Sequence, residues 1–252
     1  MNYDEIAEWY DSFIRTRKDL AFFVSEAKQV KGDVLDLMCG TGRVAIPLLK
    51  AKIRLTCVDI SPRMLWIFRQ KLIAKGLFAS TFQMDIVDLC LVNRFNLVFI
   101  HSDSFAEIIH KSDRLQVLER IYEHLKSGGT FICILQNPVM VKEWANGKLK
   151  QLGQFPLPDG EGTLRVLVQP ELTPSGNGVM GSEIFERFDR KNVLIEKKTI
   201  PLQLAMIEKL EFEEMCAEVG FKKVTLFGDY TGEKFDPRTS PSMIWKMRKP
   251  KG

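Results

Sequence analysis

The stretch Val34-Leu35-Asp36-Leu37-Met38-Cys39-Gly40-Thr41-Gly42 decides the fold. Its first half predicts a buried strand, which carries an acidic residue and runs into a glycine turn. Glycines in such a turn allow the backbone to approach a ligand closely. A second apolar run over residues 53–58 is followed by Asp59. Because neighbouring parallel strands end at the same sheet edge, we expect a nucleotide-type cofactor site there.

The elements around this stretch alternate. Strands are predicted over 33–38, 53–58, 80–83, 95–100 and 129–135, and helices over 43–50, 62–74 and 113–125. Two amphipathic helices, over 2–14 and around 20–27, precede them. The alternation predicts an α/β fold, a Rossmann-like, doubly wound and mostly parallel sheet with right-handed crossovers.

The sequence changes character after Asn137-Pro138, which is interpreted as a turn that ends a strand. Residues 146–162 are rich in Gly, Pro, Gln and Lys and predict a loop. Three β-type runs over 164–168, 179–188 and 193–204 predict a small antiparallel sheet that serves as a lid. The expected division is a core over 1–138, an insertion over 139–205, and a helix and strands over 206–252 that complete the core sheet.

Bulk properties are those of an ordinary globular chain. The 252 residues are 45% hydrophobic and 27% charged, and the net charge of +4 does not by itself predict a nucleic-acid partner. No signal peptide and no apolar run of membrane-spanning length is visible, so we expect a cytoplasmic protein with no membrane partner. The five cysteines form no C-x-x-C pair and the three histidines have no matching cysteine spacing. Buried reduced thiols and no metal site are therefore expected.

The glycine turn alone does not choose the cofactor, because Gly40-x-Gly42-x-x-Ala45 also fits the dinucleotide fingerprint. Asp59 is placed to accept the two hydroxyls of an adenosine ribose. Its alternative role is to cap the next helix, but Ser61 suits that role better.

The adenine end of the site has weaker signals. Asp85 follows the third predicted strand and could accept the adenine amino group, or it could be a solvated loop aspartate. Ile86 or Val87 would cover the ring. Ile60 and Met64 could form further apolar walls, although Met64 suits packing in the helix core equally well.

Five ordered motifs resemble those of the class I S-adenosylmethionine-dependent methyltransferases, of the small-molecule type. The motifs are Asp36–Gly42, Val58–Leu65, Gln83–Ile86, Phe95–Ile100 and Leu125–Phe131. Met38 and Ser127 stand where that family usually has Gly and Pro. The resemblance implies S-adenosylmethionine as cofactor and S-adenosylhomocysteine as product.

The same resemblance assigns contacts to residues of this sequence. It implies that Asp36 lies near the methionine ammonium, that Asp59 binds ribose and that Asp85 binds adenine. The turn lies beneath the methionine, with the predicted contacts Met38, Cys39, Gly40, Thr41 and Gly42.

The amino-terminal pattern Tyr3-Asp4-x-x-Ala7-x-x-Tyr10-Asp11 looks like the entry helix of small-molecule members of that family. The resemblance implies that Tyr10 and Arg17 close over the methionine end of the cofactor. A plain surface helix is the alternative.

The segment after the fourth strand is where the family meets its methyl acceptor. His101 could pack on the adenosine or act as a base, and Asp103 or Glu107 could hold an amine. These three residues and Tyr10 are the catalytic candidates. The alternative for Asp103 is a helix cap.

The sequence thus predicts a methyltransferase that aligns a nitrogen or oxygen of a small molecule with the methyl group, in a site that excludes water. The Asn/Asp-Pro-Pro-aromatic motif of amino-methylating nucleic-acid enzymes is replaced here by Ile100-His101-Ser102-Asp103, so nucleic acid is not the expected partner. An RNA or protein methyltransferase, an NAD-dependent oxidoreductase and a non-catalytic cofactor-binding protein stay open as alternatives. The insertion could equally form a homodimer contact.

Overall fold

The computed structural model describes residues 3–251. The helices are α1 (Ala7–Phe13), α2 (Leu20–Val30), α3 (Ala45–Lys50), α4 (Pro62–Lys75), α5 (Lys111–His124), α6 (Pro138–Trp144) and α7 (Lys209–Val219). The strands are β1 (Val34–Leu37), β2 (Leu55–Asp59), β3 (Ser80–Gln83), β4 (Phe95–Ile100), β5 (Leu125–Gln136), β6 (Lys150–Pro156), β7 (Thr163–Leu172), β8 (Gly178–Phe188), β9 (Leu194–Ala205), β10 (Lys222–Phe227) and β11 (Ser242–Arg248).

Seven strands form the main sheet, in the order β10-β11-β5-β4-β1-β2-β3. Four neighbouring pairs are parallel, namely β5 with β4, β4 with β1, β1 with β2, and β2 with β3. Strand β11 pairs antiparallel with both β5 and β10. The chain moves from β1 outward to β3 and then returns to the other side of β1 to form β4. Because the strand order reverses beside β1, the carboxyl ends of β1 and β4 border a crevice at the topological switch point.

The main sheet is covered on both faces, as its continuous apolar strands require. Leu35 and Leu37 of β1 pack in one buried cluster with side chains of α5 and α7. Val34, on the opposite face of the same strand, packs in a second buried cluster with side chains of α2, α3 and α4. This arrangement confirms the predicted doubly wound fold.

The second sheet has four strands, is antiparallel throughout and has the order β6-β7-β8-β9. One part of its inner face packs Phe185 and Leu164 against Trp9 of α1. Another part packs Val168 against Val141 of α6. The insertion is therefore seated on the elements that flank the carboxyl edge of the main sheet.

Two predictions between the sheets are wrong. Residues 150–156 form the edge strand β6 rather than a loop. Asn137-Pro138 opens a helix, because Asn137 Oδ1 accepts the Val139 N–H (3.2 Å) and Pro138 is the first residue of α6.

The amino-terminal helix is also shorter than predicted. It consists of a 3₁₀ turn over Tyr3–Glu5 followed by α1, and residue 2 of the predicted span lies outside the described residues. The division into three domains stays a prediction.

Four of the five cysteines are buried, as expected, and Cys90 is exposed. Within residues 3–251, no helix combines the length and the apolar character needed to cross a membrane.

Candidate active site

A cavity of about 1220 Å³ opens at the carboxyl edge of the main sheet. Its walls come from four parts of the chain, namely the amino-terminal segment, the loops that follow β1 to β4, strands β8 and β9, and the segment between β10 and β11. Its lining includes seven predicted cofactor contacts from the loops and helix starts of the core: Met38, Gly40, Asp59, Ile60, Met64, Asp85 and Ile86. The structure thus brings together residues that lie far apart in the sequence.

The glycine turn after β1 has two glycines with different tasks. Both have positive φ, +56° at Gly40 and +81° at Gly42, and Met38 shares this conformation at +58°. A Cβ added to Gly40, which lines the cavity, would have no neighbour within 4 Å, whereas one on Gly42 would lie 2.2 Å from the Phe68 ring. Gly40 therefore leaves open space on the cavity side of the turn, as expected of a glycine that clears space for a ligand. Gly42 instead makes room for helix α4.

The remaining turn residues are buried and do not line the cavity. Cys39 is 1% exposed and Thr41 is fully buried. The Thr41 hydroxyl donates to Asp11 Oδ1 (2.7 Å), and the Lys71 ammonium donates to the Thr41 carbonyl (2.9 Å). These bonds connect the turn to α1 and α4 through Thr41. Cys39 and Thr41 therefore lie beneath the cavity lining and hold the turn in place.

Asp59 is the buried carboxylate at the end of β2, and it lines the cavity. Its Oδ2 accepts the Gly40 N–H (2.6 Å) and its Oδ1 accepts the Ser61 N–H (2.9 Å). Burial raises the pKa of this carboxyl, and these two backbone donors oppose the rise. Ser61 caps α4, as predicted, because its hydroxyl accepts the Met64 N–H (3.0 Å).

The predicted adenine wall is assembled around Asp85. This residue lines the cavity, and its Oδ1 accepts the Val87 N–H (3.0 Å) at the start of a 3₁₀ turn over Ile86–Asp88. Ile60 and Met64 lie on the same cavity surface. The cavity therefore has apolar side chains beside a carboxylate, which is the chemistry that an adenine ring and its amino group require.

Asp36 and His101 form a buried pair that does not line the cavity. Asp36 is fully buried, and neither carboxylate oxygen has a hydrogen-bond partner among the described residues. His101 Nε2 lies 3.6 Å from Asp36 Oδ1, and its Nδ1 lies 2.7 Å from the Ser102 hydroxyl. Burial raises the pKa of Asp36 and lowers that of His101 to about 3. Asp36 therefore lies behind the cavity lining as an unbonded carboxyl, paired only loosely with the His101 ring.

The amino-terminal segment forms one wall of the cavity. Tyr10 lines it, as predicted, and burial raises the pKa of its hydroxyl. Arg17 does not line it, because its side chain is exposed to solvent. The arginine of the cavity is Arg43, which donates to both carboxylate oxygens of Asp19 (2.7 and 2.6 Å). It also donates to the Ser102 hydroxyl (2.8 Å), so it ties the segment before α2 to the loop after β4.

Two glutamates line the cavity where the main sheet meets the second sheet. Glu107 lies in the turn that follows β4, and Glu183 lies on β8 of the second sheet. The Tyr3 hydroxyl donates to Glu107 Oε1 (3.1 Å). Burial raises the pKa of Glu107, and burial with the nearby Glu107 charge raises that of Glu183 to about 7. Asp103 does not line the cavity, since its Oδ1 accepts the Gln136 N–H (2.8 Å).

The cavity is strongly acidic. Among the described residues that line it, seven are acidic and Arg43 is the one Lys or Arg side chain. The acidic residues are Asp4, Asp19, Asp59, Asp85, Glu107, Asp113 and Glu183. Arg43 neutralises Asp19, and acidic residues outnumber basic ones among the described residues of the lining, so the site favours ligands that carry positive charge.

Comparison with known proteins points to one family. Residues 34–129 match the model of a methyltransferase domain family. This match supports the resemblance of the sequence motifs to those of the class I S-adenosylmethionine-dependent methyltransferases. A protein of Geobacillus sp. (strain WCH70) that is named as a methyltransferase is 32% identical over 139 residues, which are 52% of this chain and 56% of the relative. The aligned part thus spans little more than half of that relative's length.

Two solved methyltransferases share the fold over nearly the whole chain. The CcbJ methyltransferase from Streptomyces caelestis has a TM-score of 0.84 at 22% identity and covers 99% of this chain and 98% of its own. A sugar N-methyltransferase from Streptoalloteichus sp. has a TM-score of 0.76 at 16% identity and covers 96% of this chain and 92% of its own.

S-adenosylmethionine fits the residues that line the cavity. Asp59 would hold the ribose, and Ile60 and Ile86 would flank the adenine. Asp36 is buried behind the lining, so its contact with the methionine ammonium stays a prediction. The cofactor supplies a methyl group that is already activated on a positively charged sulfur.

Four of the wall residues that were not predicted as site residues are Tyr3, Arg43, Glu183 and Tyr230. Arg43 had a readable signal, because it follows the glycine turn directly. The other three are brought to the cavity by tertiary structure.

Proposed function

We propose that this protein transfers the methyl group of S-adenosylmethionine to a nitrogen of a small molecule. The observation that carries the proposal is the excess of carboxyls over cations in the cavity lining. Glu107 of the core and Glu183 of the insertion are among these carboxyls. Amines are positively charged in water and are attracted by such a wall, whereas neutral hydroxyl acceptors gain no comparable attraction.

The chain's own residues have three tasks in this reaction. The core loops orient the cofactor through Asp59 and Gly40. The amino-terminal segment and the second sheet enclose the acceptor and exclude water, which strengthens every charge interaction inside. A carboxylate beside the acceptor takes the proton that an ammonium must lose before its nitrogen can attack.

The structural relatives support nitrogen as the methylated atom, since one of them is named as a sugar N-methyltransferase. An amine-bearing small molecule, such as an amino sugar, is therefore the proposed acceptor class. A cytoplasmic location and a homodimer through the insertion stay predictions.

The charge of the cavity also argues against two alternatives. An RNA acceptor carries a phosphate on every nucleotide, and NAD carries a pyrophosphate, so both would meet carboxyls and the single Arg43. The acidic wall therefore disfavours a nucleic-acid methyltransferase and a dinucleotide oxidoreductase.

The test has a binding part and a turnover part. Calorimetry with S-adenosylhomocysteine is expected to show binding that Asp59→Ala weakens by about 10- to 100-fold, since the ribose loses a charged acceptor. Glu119→Ala, which removes an exposed carboxylate on α5, is the control and should bind normally.

Turnover is measured with methyl-labelled S-adenosylmethionine and paired acceptors that differ only in an amine or a hydroxyl, such as glucosamine and glucose. Transfer to amines is expected. Transfer confined to hydroxyl acceptors or to RNA would refute the proposal.

A further inference from the structure

Glu183 lies on a face of the second sheet where apolar residues are expected. On β8, side chains two residues apart share a face, so Glu183 points to the same side as the buried Val179 and Phe185. Its partners on the neighbouring strands are Val168 and Ile200, and both are buried. A carboxyl within such an apolar surface costs stability unless a hydrogen bond or an opposite charge compensates it, which a bound ligand can supply.

A second glutamate on the same strand shows the contrast. Glu186 lies on the opposite face, where Arg165 donates to its Oε2 (2.7 Å) and Lys197 lies 3.2 Å from its Oε1. These cations lower the pKa of Glu186. Glu183 instead lines the cavity together with another carboxyl, and an acidic lining of this kind attracts a cation.

That other carboxyl belongs to Glu107, in the 3₁₀ turn that follows β4. Tyr3, Glu107 and Glu183 all line the cavity. The Tyr3 hydroxyl bonds to Glu107 and so restrains one carboxylate of the pair. The side wall of the cavity therefore combines a carboxyl restrained by Tyr3 with one presented by the insertion.

We propose that Glu183 is the group that takes the proton from the acceptor's ammonium, while Glu107 holds the same nitrogen in place. This inference rests on the proposed amine methylation. It gives the second sheet a part in the reaction, as the element that supplies the base, in addition to enclosing the acceptor.

The step balances in atoms and charge. The ammonium N–H bond breaks, the proton goes to a Glu183 oxygen, and the nitrogen keeps the electron pair. That pair forms the new carbon–nitrogen bond while the carbon–sulfur bond of the methyl donor breaks, so the positive charge moves from sulfur to nitrogen. The Glu183 carboxyl later gives its proton to solvent, and nothing is oxidised or reduced.

The test compares Glu183→Gln with Glu186→Gln, which removes one carboxylate from the same strand on the opposite face. The first readout is the pH profile of kcat/KM with the best amine of the paired panel. The wild type is expected to lose activity as the pH falls below about 7, because the base becomes protonated. Glu183→Gln is expected to lower kcat/KM by about 100-fold and to abolish this acid limb, with cofactor affinity unchanged.

The second readout needs no turnover. In protein labelled with ¹³C at the glutamate carboxyl carbons and saturated with S-adenosylhomocysteine, one carboxyl is expected to titrate near pH 7. This signal should persist in Glu186→Gln and disappear in Glu183→Gln.

The outcomes separate the two proposals. If amines are methylated but Glu183→Gln retains kcat/KM within about twofold, the role of Glu183 is overturned and amine methylation stands. If no glutamate carboxyl titrates near pH 7 in the wild type, the role of Glu183 is again overturned. If only hydroxyl acceptors are methylated, the proposed function fails and this inference fails with it.

Discussion

Replacing Glu183 with Gln is expected to stabilise the folded protein, increasingly so as the pH rises. Burial and the Glu107 charge raise the pKa of Glu183 from 4.5 to about 7. The folded state therefore holds the proton more tightly than the unfolded chain does. The resulting contribution to stability is complete below about pH 4.5 and is lost as the pH rises towards 7. Glutamine stays neutral, so the variant avoids this loss.

The size of the effect follows from the two pKa values. The difference, 7 minus 4.5, corresponds to an upper limit of about 3 kcal/mol in the free energy of unfolding. Glu183 is partly exposed to the solvent in the cavity, so screening lowers the expected value to about 1–2 kcal/mol.

The assay is urea unfolding of the wild type and Glu183→Gln at about pH 5 and about pH 8. We expect the advantage of the variant to be larger by about 1–2 kcal/mol at the higher pH. Glu186→Gln should show no such gain, because its carboxylate is stabilised by Arg165 and Lys197. Parallel pH profiles for the wild type and Glu183→Gln would refute the assigned environment of Glu183.

Three further substitutions test the site. Gly42→Ala is expected to cost about 2–4 kcal/mol in urea unfolding, because its methyl group would meet Phe68 at a positive φ; an unchanged midpoint would contradict this. Gly40→Ala should lower the free energy of unfolding by only about 1 kcal/mol but weaken S-adenosylhomocysteine binding about tenfold by calorimetry. Unchanged affinity would show that the ligand lies elsewhere. Arg43→Ala leaves Asp19 buried without its cation, so a loss of about 3 kcal/mol is expected, and stability close to that of the wild type would argue against this pair.

The sequence predicted the central strands β1, β2 and β4 well because they are buried on both sides. Strand β4, for example, has the predicted bounds, since its apolar run is continuous and ends at a polar segment. Strand β6 was missed because it lies at a sheet edge, where the residues of Lys150–Pro156 are exposed or partly exposed and few are apolar. Local composition could not separate that edge strand from a loop.

The site divides in a similar way. Asp59 and Asp85 were predicted because each follows a strand at a fixed place in the core, and both line the cavity. Glu183 could not be predicted, because only the register of β7, β8 and β9 shows which face of the sheet it occupies. His101 belongs to a core strand end, yet its ring lies among Phe23 and Phe99, away from the cavity lining.

On the roles proposed above, the contacts to the methyl donor come from the core loops, whereas Glu183 comes from the four-stranded sheet. A change on the inner face of β8 is therefore expected to alter which acceptors are methylated and to leave the hydrogen bond between Asp59 and Gly40 in place. This separation would allow new acceptors to be acquired by sequence drift in the four-stranded sheet, at little risk to the binding of the methyl donor. It also makes the insertion the natural target for engineering toward other acceptors.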